Sequence, residues 1–296
     1  MKELTFLEKL ELGFEQKKYV CVGLDTDYSK MPDAIRRSCV GIENRMFSFN
    51  RNIIDKTKDL VLAYKPNFAF YLDQGVEGLK ALEKTVAYMR NVAPNVVIIL
   101  DVKWGDIGNT NNPYKKFAFE TLKVDAVTVA PYMGYKAMKP FLDYKDKGII
   151  VLCKTSNEGA DEFQDFSVMP ENGSSSILYE EVARNVSNPE KWNYNGNCLL
   201  VVGATAPEDE LYDIRRIVGD MNILVPGIGE QGGDLKKVVK NGLNSKGHGL
   251  IINSSRGIIF ASKEDDFALK AREKTIELNQ QILKEIEDLK EKVNEF

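Results

Sequence analysis

Asn95-Val96-Val97-Ile98-Ile99-Leu100-Asp101-Val102-Lys103-Trp104-Gly105-Asp106 is the stretch on which the reading of this chain turns. Five consecutive apolar residues, four of them β-branched, run straight into two carboxylates around an amine. The run has the length and composition of a strand buried on both faces, the kind found in parallel sheets. Side chains two apart on a strand share a face, which predicts that Asp101 and Lys103 project together from its end. Neighbouring anions favour the charged form of an amine, so the trio Asp101, Lys103 and Asp106 suits a poised proton donor rather than a solvated ion pair.

Similar runs recur at residues 19 to 24, 60 to 64, 126 to 130, 148 to 153, 198 to 202, 222 to 225 and 249 to 252, which makes eight with residues 96 to 100. Amphipathic stretches such as 75 to 90, 207 to 218 and 232 to 240 lie between them and carry apolar residues at helical spacing. Strands alternating with helices imply parallel pairing through right-handed crossovers. Eight such units predict an α/β chain folded as one (β/α)8, or TIM, barrel domain over residues 1 to 296. Residues 4 to 17 read as an extra N-terminal helix, and residues 263 to 296 as a long, charged, amphipathic C-terminal helix that packs with one face in solvent. The segment 157 to 175, after the fifth strand, holds Gly, Asp, Pro and Ser and reads as a binding loop, a lid or a flexible connection.

Composition narrows the function classes. Hydrophobic residues at 43% and charged residues at 28% describe an ordinary soluble globular protein. A formal net charge of −4 offers no basic footprint for nucleic acid or an anionic membrane, so an anionic ligand must be captured locally. The four cysteines are widely spaced and form no paired metal-ligand motif. The N-terminus is charged and lacks the apolar core of a secretory signal, and no run reaches the length of a membrane span, which points to a reduced, cytoplasmic setting. A lone histidine, His248, leaves little material for a catalytic triad or a multi-histidine metal site.

In such barrels the chemistry sits at the C-terminal ends of the strands. Here those ends read Gly23-Leu24-Asp25, Tyr64-Lys65-Pro66-Asn67, Asp101 with Lys103, Lys154-Thr155-Ser156, Pro226-Gly-Ile-Gly-Glu-Gln231-Gly-Gly and Asn253-Ser254-Ser255-Arg256-Gly257. The last two have the make-up of a phosphate site. Gly227, Gly229, Gly232 and Gly233 can expose backbone N–H groups, and Arg256 can meet an anion with a planar fork of donors.

At this point Asp101-Val-Lys103-Trp-Gly-Asp106-Ile107-Gly-Asn-Thr110 resembles the Asp-x-Lys-x-x-Asp signature of the orotidine 5'-phosphate decarboxylases. Gly23-Leu24-Asp25, Lys65-Pro66-Asn67, Thr155-Ser156, Pro226-Gly-Ile-Gly-Glu-Gln231-Gly-Gly-Asp and Asn253-Ser-Ser-Arg256 resemble that family's remaining site segments, in the right order. The resemblance runs from the first strand to Arg256 and best fits the longer, bacterial-type subgroup. It implies decarboxylation of orotidine 5'-phosphate to uridine 5'-phosphate in de novo pyrimidine biosynthesis, with no cofactor and no metal. It further implies that Lys103 protonates C6 of the pyrimidine, that Asp101 sits near the substrate carboxylate and orients Lys103, and that Lys65 completes the charged array. Asp25 would accept a ribose hydroxyl, Ser156 would read the pyrimidine edge, and Gln231 and Arg256 would bind phosphate. Asp106 and Thr110 would serve the neighbouring active site of a homodimer. Around Ser156 the chain carries Lys154-Thr-Ser-Asn-Glu-Gly, where many relatives have other residues.

Three other readings fit parts of the pattern. A magnesium-dependent sugar-phosphate decarboxylase or aldolase of the same barrel group needs an acidic metal ligand after the second strand, where this chain has Lys65. A Schiff-base mechanism on Lys103 or Lys65 needs a neutral amine, which flanking carboxylates disfavour. A non-catalytic phosphate-ligand-binding barrel would keep the glycine and arginine loops but has no use for the charged array.

Overall fold

The computed structural model of the protein describes residues 3–170, 173, 175–205, 208–228 and 233–294. Ten strands occur among them: β1 Val20–Leu24, β2 Ala63–Pro66, β3 Val97–Trp104, β4 Ala126–Val129, β5 Gly148–Lys154, β6 Ser167–Val168, β7 Ser176–Ile177, β8 Cys198–Val202, β9 Ile223–Pro226 and β10 Leu250–Ser254. Eight of them close into a barrel in the order β1-β10-β9-β8-β5-β4-β3-β2, while β6 and β7 form a small antiparallel ribbon. Neighbouring barrel strands run parallel, as in the registers Gly23↔Lys65 and Val201↔Leu224. Each of the eight expected apolar runs overlaps one of the barrel strands. The second begins later than its hydrophobicity suggests, because Leu60 N–H still bonds the Thr57 carbonyl of the preceding helix and the ladder opens only with Leu62 N–H on Val20.

Helices alternate with the strands. The helix Ile42–Thr57 escaped the periodicity reading because its inward face mixes Asn50 and Thr57 with Met46, Phe49, Ile53 and Ile54. Segment 157 to 175 is less irregular than expected: it holds the short helix Asp161–Gln164 and the first strand of the β6–β7 ribbon.

The chain divides into two compact units interleaved in sequence. One comprises the residues up to Val102 together with Lys116–Val127 and Asn253–Gln281; the other comprises Lys103–Lys115, Thr128–Ile252 and the residues from Ile282 on. In the first unit the N-terminal helix Phe6–Glu15 opens on a capping box, with Thr5 and Glu8 satisfying each other's backbone N–H groups. Its buried face presents Phe6, Leu10 and Phe14, and Gly13 meets Leu62 so closely that a Cβ there would lie 2.3 Å from the leucine Cδ1. Lys9, also buried, reaches Asp125 at 2.8 Å, and the same carboxylate accepts the Ile98 N–H. Asp125 and Leu62 both precede their strands, so this helix lies at the N-terminal ends of β2 and β4.

The C-terminal helix Phe267–Asn294 buries Ala271, Thr275, Leu278, Ile282 and Ile286 at helical spacing. Arg272 grips both oxygens of Asp59 at 2.7 and 2.8 Å, and Asn279 accepts the Tyr19 N–H at 3.1 Å. No helix among the described residues is long and apolar enough to cross a membrane.

Candidate active site

In the first unit, β2 and β3 bring two opposite charges into contact at their C-terminal ends. Lys65 Nζ donates to Asp101 Oδ2 at 2.7 Å, and the two side chains are only 5% and 9% exposed. Burial by itself would lower the Lys65 pKa, but the charges of Asp101 and Asp25 outweigh it and hold the ammonium above its usual range. Asp25 directly follows β1, and its buried Oδ1 has no hydrogen-bond partner among the described residues. A buried carboxylate oxygen in that condition is built to receive a donor.

Behind Asp25 lies a sealed polar network that sequence reading missed. Thr26 donates to Asn50 Oδ1 at 2.7 Å, and Asn50 Nδ2 donates to Tyr71 OH at 3.0 Å and Thr85 Oγ1 at 3.1 Å. Tyr71 OH returns to the Leu24 carbonyl at 3.3 Å, one residue before Asp25. All four side chains are completely buried, so the network fixes the end of β1 against the helices behind it. Only the folded chain assembles it, since its members are spread over residues 26 to 85.

The loop after β10 belongs to the same unit. Ser255 Oγ donates to the Gly23 carbonyl at 3.0 Å, and a Cβ on Gly23 would stand 2.8 Å from the Ser255 Cβ. Gly23 is therefore what lets this loop close on β1. Asn253 Oδ1 is buried without a hydrogen-bond partner among the described residues, and Arg256 follows on the surface.

The second unit begins with Lys103. It adopts φ +52°, the left-handed region, and is exposed where Asp101 is buried. A residue with a side chain pays roughly 1–2 kcal/mol for that conformation. Next, Asp106 Oδ1 accepts the Ile107 N–H at 2.6 Å, while fully buried Asn111 accepts the Asp106 N–H at 3.2 Å and donates to its carbonyl at 2.6 Å. Thr110 lies on the helix Gly108–Lys115 that follows. Ile107, Tyr132 and Met133 leave apolar surface exposed after β3 and β4.

Ser156 follows β5 in a loop held from two sides. Gln164 Oε1 accepts the Thr155 N–H at 2.8 Å and its Nε2 donates to Thr155 Oγ1 at 2.7 Å, while Gly203 packs where a Cβ would be 2.7 Å from the Ser156 Cβ. Lys154, buried beneath it, bonds Asp165 and approaches Glu210 at 3.3 Å, with the Tyr179 ring centroid 5.3 Å away. Burial raises the Glu210 pKa against the opposing pull of Lys154. The sequence placed Lys154 at the end of the fifth strand beside Ser156 but gave it no partners; these are 11 and 56 positions away.

Of the glycine loop after β9, Gly227 has φ +102° and its carbonyl accepts the Gly233 N–H at 3.2 Å. Gln231, Gly229 and Gly232 lie outside the described residues. His248 precedes β10, at the N-terminal end of the strand whose other end leads to Arg256. A separate cleft of about 640 Å³ in this unit, lined by Tyr135, Glu181 and Trp192 among others, contains none of the expected site residues.

Fold and site together define a parallel (β/α)8 barrel with ionic groups concentrated at the C-terminal strand ends. Residues 18–271 match the orotidine 5'-phosphate decarboxylase / HUMPS family, and the chain belongs to that family. It is 45% identical over 282 residues to an orotidine 5'-phosphate decarboxylase of Cellvibrio japonicus, covering 94% of this chain and 98% of that protein. Among solved structures, UMP synthase of Leishmania donovani superposes with a TM-score of 0.82 at 35% identity; the match covers 96% of this chain and spans 57% of that longer one. The Leishmania donovani OMP decarboxylase gives a TM-score of 0.76 at 34% identity, covering 93% of this chain and 99% of that one.

Proposed function

We propose that the protein decarboxylates orotidine 5'-phosphate to uridine 5'-phosphate in de novo pyrimidine biosynthesis, without a cofactor and as a cytoplasmic homodimer. The observation that carries this reading is the buried Lys65–Asp101 pair, with the Asp25 charge acting on the same ammonium and Lys103 two residues beyond Asp101. Loss of carbon dioxide breaks the bond between C6 and the carboxylate carbon and leaves the electron pair on C6, in an orbital the ring delocalises poorly. Fixed charge and prompt protonation must stabilise it. Lys103 supplies the proton to C6 and regains one from water, to which its exposed side chain has access.

Asp25, whose buried Oδ1 has no hydrogen-bond partner among the described residues, accepts a ribose hydroxyl, and Lys65 contacts the ribose while neutralising Asp101. Ser156 reads the pyrimidine edge, and Gln231 and Arg256 take the phosphate, whose binding energy offsets the crowding of like charges at the reacting end. Asp106 and Thr110 serve the partner's site, a role supported by the exposed apolar side chain of Ile107 next to Asp106. The metal-dependent sugar-phosphate reading would need an acid where Lys65 stands, and an ammonium there repels a cation.

The test follows the absorbance change of orotidine 5'-phosphate with purified protein before and after exhaustive chelation, alongside Lys103→Ala. Turnover that survives chelation and disappears in a folded Lys103→Ala variant is expected. Activity restored by magnesium, or substantial turnover by Lys103→Ala, would overturn the proposal.

A further inference from the structure

Strand β3 uses one residue more than β4 over the same length of ladder. The Ile98 carbonyl accepts from Asp125 N–H at 2.9 Å and the Trp104 carbonyl from Ala130 N–H at 2.8 Å, so six steps along β3 (98 to 104) match five along β4 (125 to 130). An extra residue of this kind is a bulge, a device that re-aims a side chain at the end of a strand. Lys103, with φ +52°, is the residue within this span that leaves the extended conformation for the left-handed one.

A left-handed residue that carries a side chain persists only where its surroundings impose the conformation. Two contacts do so here. The Lys103 N–H donates to Thr128 Oγ1 at 2.9 Å, a side-chain hydroxyl standing where a ladder carbonyl would otherwise serve. Immediately beyond, Gly105 lies against β4 so closely that a Cβ would fall 2.7 Å from the Ala130 carbonyl oxygen, which lets the ladder resume at once. Thr128 is 2% exposed, and its β-branched side chain has little rotamer freedom, so the acceptor is fixed before any substrate arrives.

We infer that Thr128 is a positioning residue for the reaction: its hydroxyl holds the Lys103 backbone in the left-handed bulge and so aims the Lys103 amine. The inference rests on the proposed role of Lys103 as proton donor. Thr128 acts through the Lys103 backbone that its hydroxyl holds, so its effect lies in the geometry of proton delivery. Misplacement of a reacting group lowers the rate of the chemical step far more than the binding of a ligand anchored elsewhere by its phosphate and ribose.

The experiment compares Thr128→Val, which keeps the shape and removes the acceptor, with Thr128→Ser, which keeps the acceptor, next to Lys103→Ala. For each full-length variant, kcat and KM for orotidine 5'-phosphate are measured with the affinity for uridine 5'-phosphate by titration calorimetry. Thr128→Val is expected to lose roughly 10- to 100-fold in kcat, the effect of leaving one part-buried N–H without its acceptor, with nucleotide affinity changed less than about threefold. Thr128→Ser is expected to keep kcat within about threefold of the parent, since the acceptor remains. A Thr128→Val enzyme with parental kcat, a Thr128→Ser enzyme as impaired as the valine variant, or losses of affinity that track kcat would each overturn the inference. If Thr128→Val does not fold, the Thr128→Ser and Thr128→Ala pair isolates the same hydroxyl and is judged by the same outcomes. Turnover by Lys103→Ala would defeat the underlying assignment of the lysine; an inactive Lys103→Ala beside a fully active Thr128→Val would defeat the role of Thr128 alone.

Discussion

Lys65→Met is expected to destabilise the protein by about 3–5 kcal/mol at neutral pH, because it removes one partner of a buried ion pair and strands the other. The ammonium and the Asp101 carboxylate meet at 2.7 Å with side chains 5% and 9% exposed, so little water is at hand to replace the lost contact. Asp25, whose charge also acts on Lys65, loses the same ammonium. Methionine fills a comparable volume, which keeps a cavity from adding to the loss. In a chain of this size the expected fall in Tm is on the order of 10 °C. The double variant Lys65→Met/Asp101→Leu should recover most of the stability, since well-packed apolar residues often replace a buried pair without loss.

The pH dependence has a definite sign. The folded-state pKa of Lys65 lies above the ordinary 10.5, so its contribution is fully present below pH 10.5 and is lost as pH rises through the folded value. The stability difference between parent and Lys65→Met, from urea unfolding of the ligand-free protein, should therefore stay level from neutral pH to about pH 9 and narrow in stronger alkali. Lys65→Met within about 1 kcal/mol of the parent, or a double variant no more stable than the single one, would refute the reasoning.

Gly23→Ala should raise KM for orotidine 5'-phosphate roughly tenfold with a smaller effect on kcat, because a Cβ 2.8 Å from the Ser255 Cβ displaces the loop that leads to Arg256; an unchanged KM in steady-state kinetics counts against that loop as a phosphate anchor. Lys9→Met should cost about 3–5 kcal/mol by chemical denaturation and leave kcat intact, since the Lys9–Asp125 pair of 2.8 Å sits at the N-terminal ends of the strands; a fall in kcat at saturating substrate would contradict this. Mixed Lys103→Ala and Asp106→Ala subunits should regain part of the activity that each variant lacks alone, and no regain after demonstrated subunit exchange would exclude shared sites.

The order of strands and helices was legible because it is written in local periodicity. Residues such as Val97 to Leu100 in β3 and Leu199 to Val202 in β8 are apolar on both faces, which only a parallel sheet covered by helices accommodates. The polar residues at the strand ends were legible for the same reason: each directly follows an apolar run. The helix Ile42–Thr57 was not, because Asn50 and Thr57 on its inward face find partners from other elements, and those partners turn polar residues into core. The Lys154 cluster with Asp165 and Glu210 was hidden likewise, since no spacing rule links residues on three separate segments.

The sequence by itself determined that this chain alternates strands with helices and carries Asp25, Lys65, Asp101 and Lys103 at or just beyond strand ends, since both facts depend on neighbours along the chain. Only the tertiary structure decided how those residues are held. The Lys65–Asp101 contact joins two strands, and the left-handed turn at Lys103 arises because β3 must fit six steps against five of β4 beside Thr128. Period-two alternation describes an isolated strand; hydrogen bonds to the strand next to it decide where the alternation breaks.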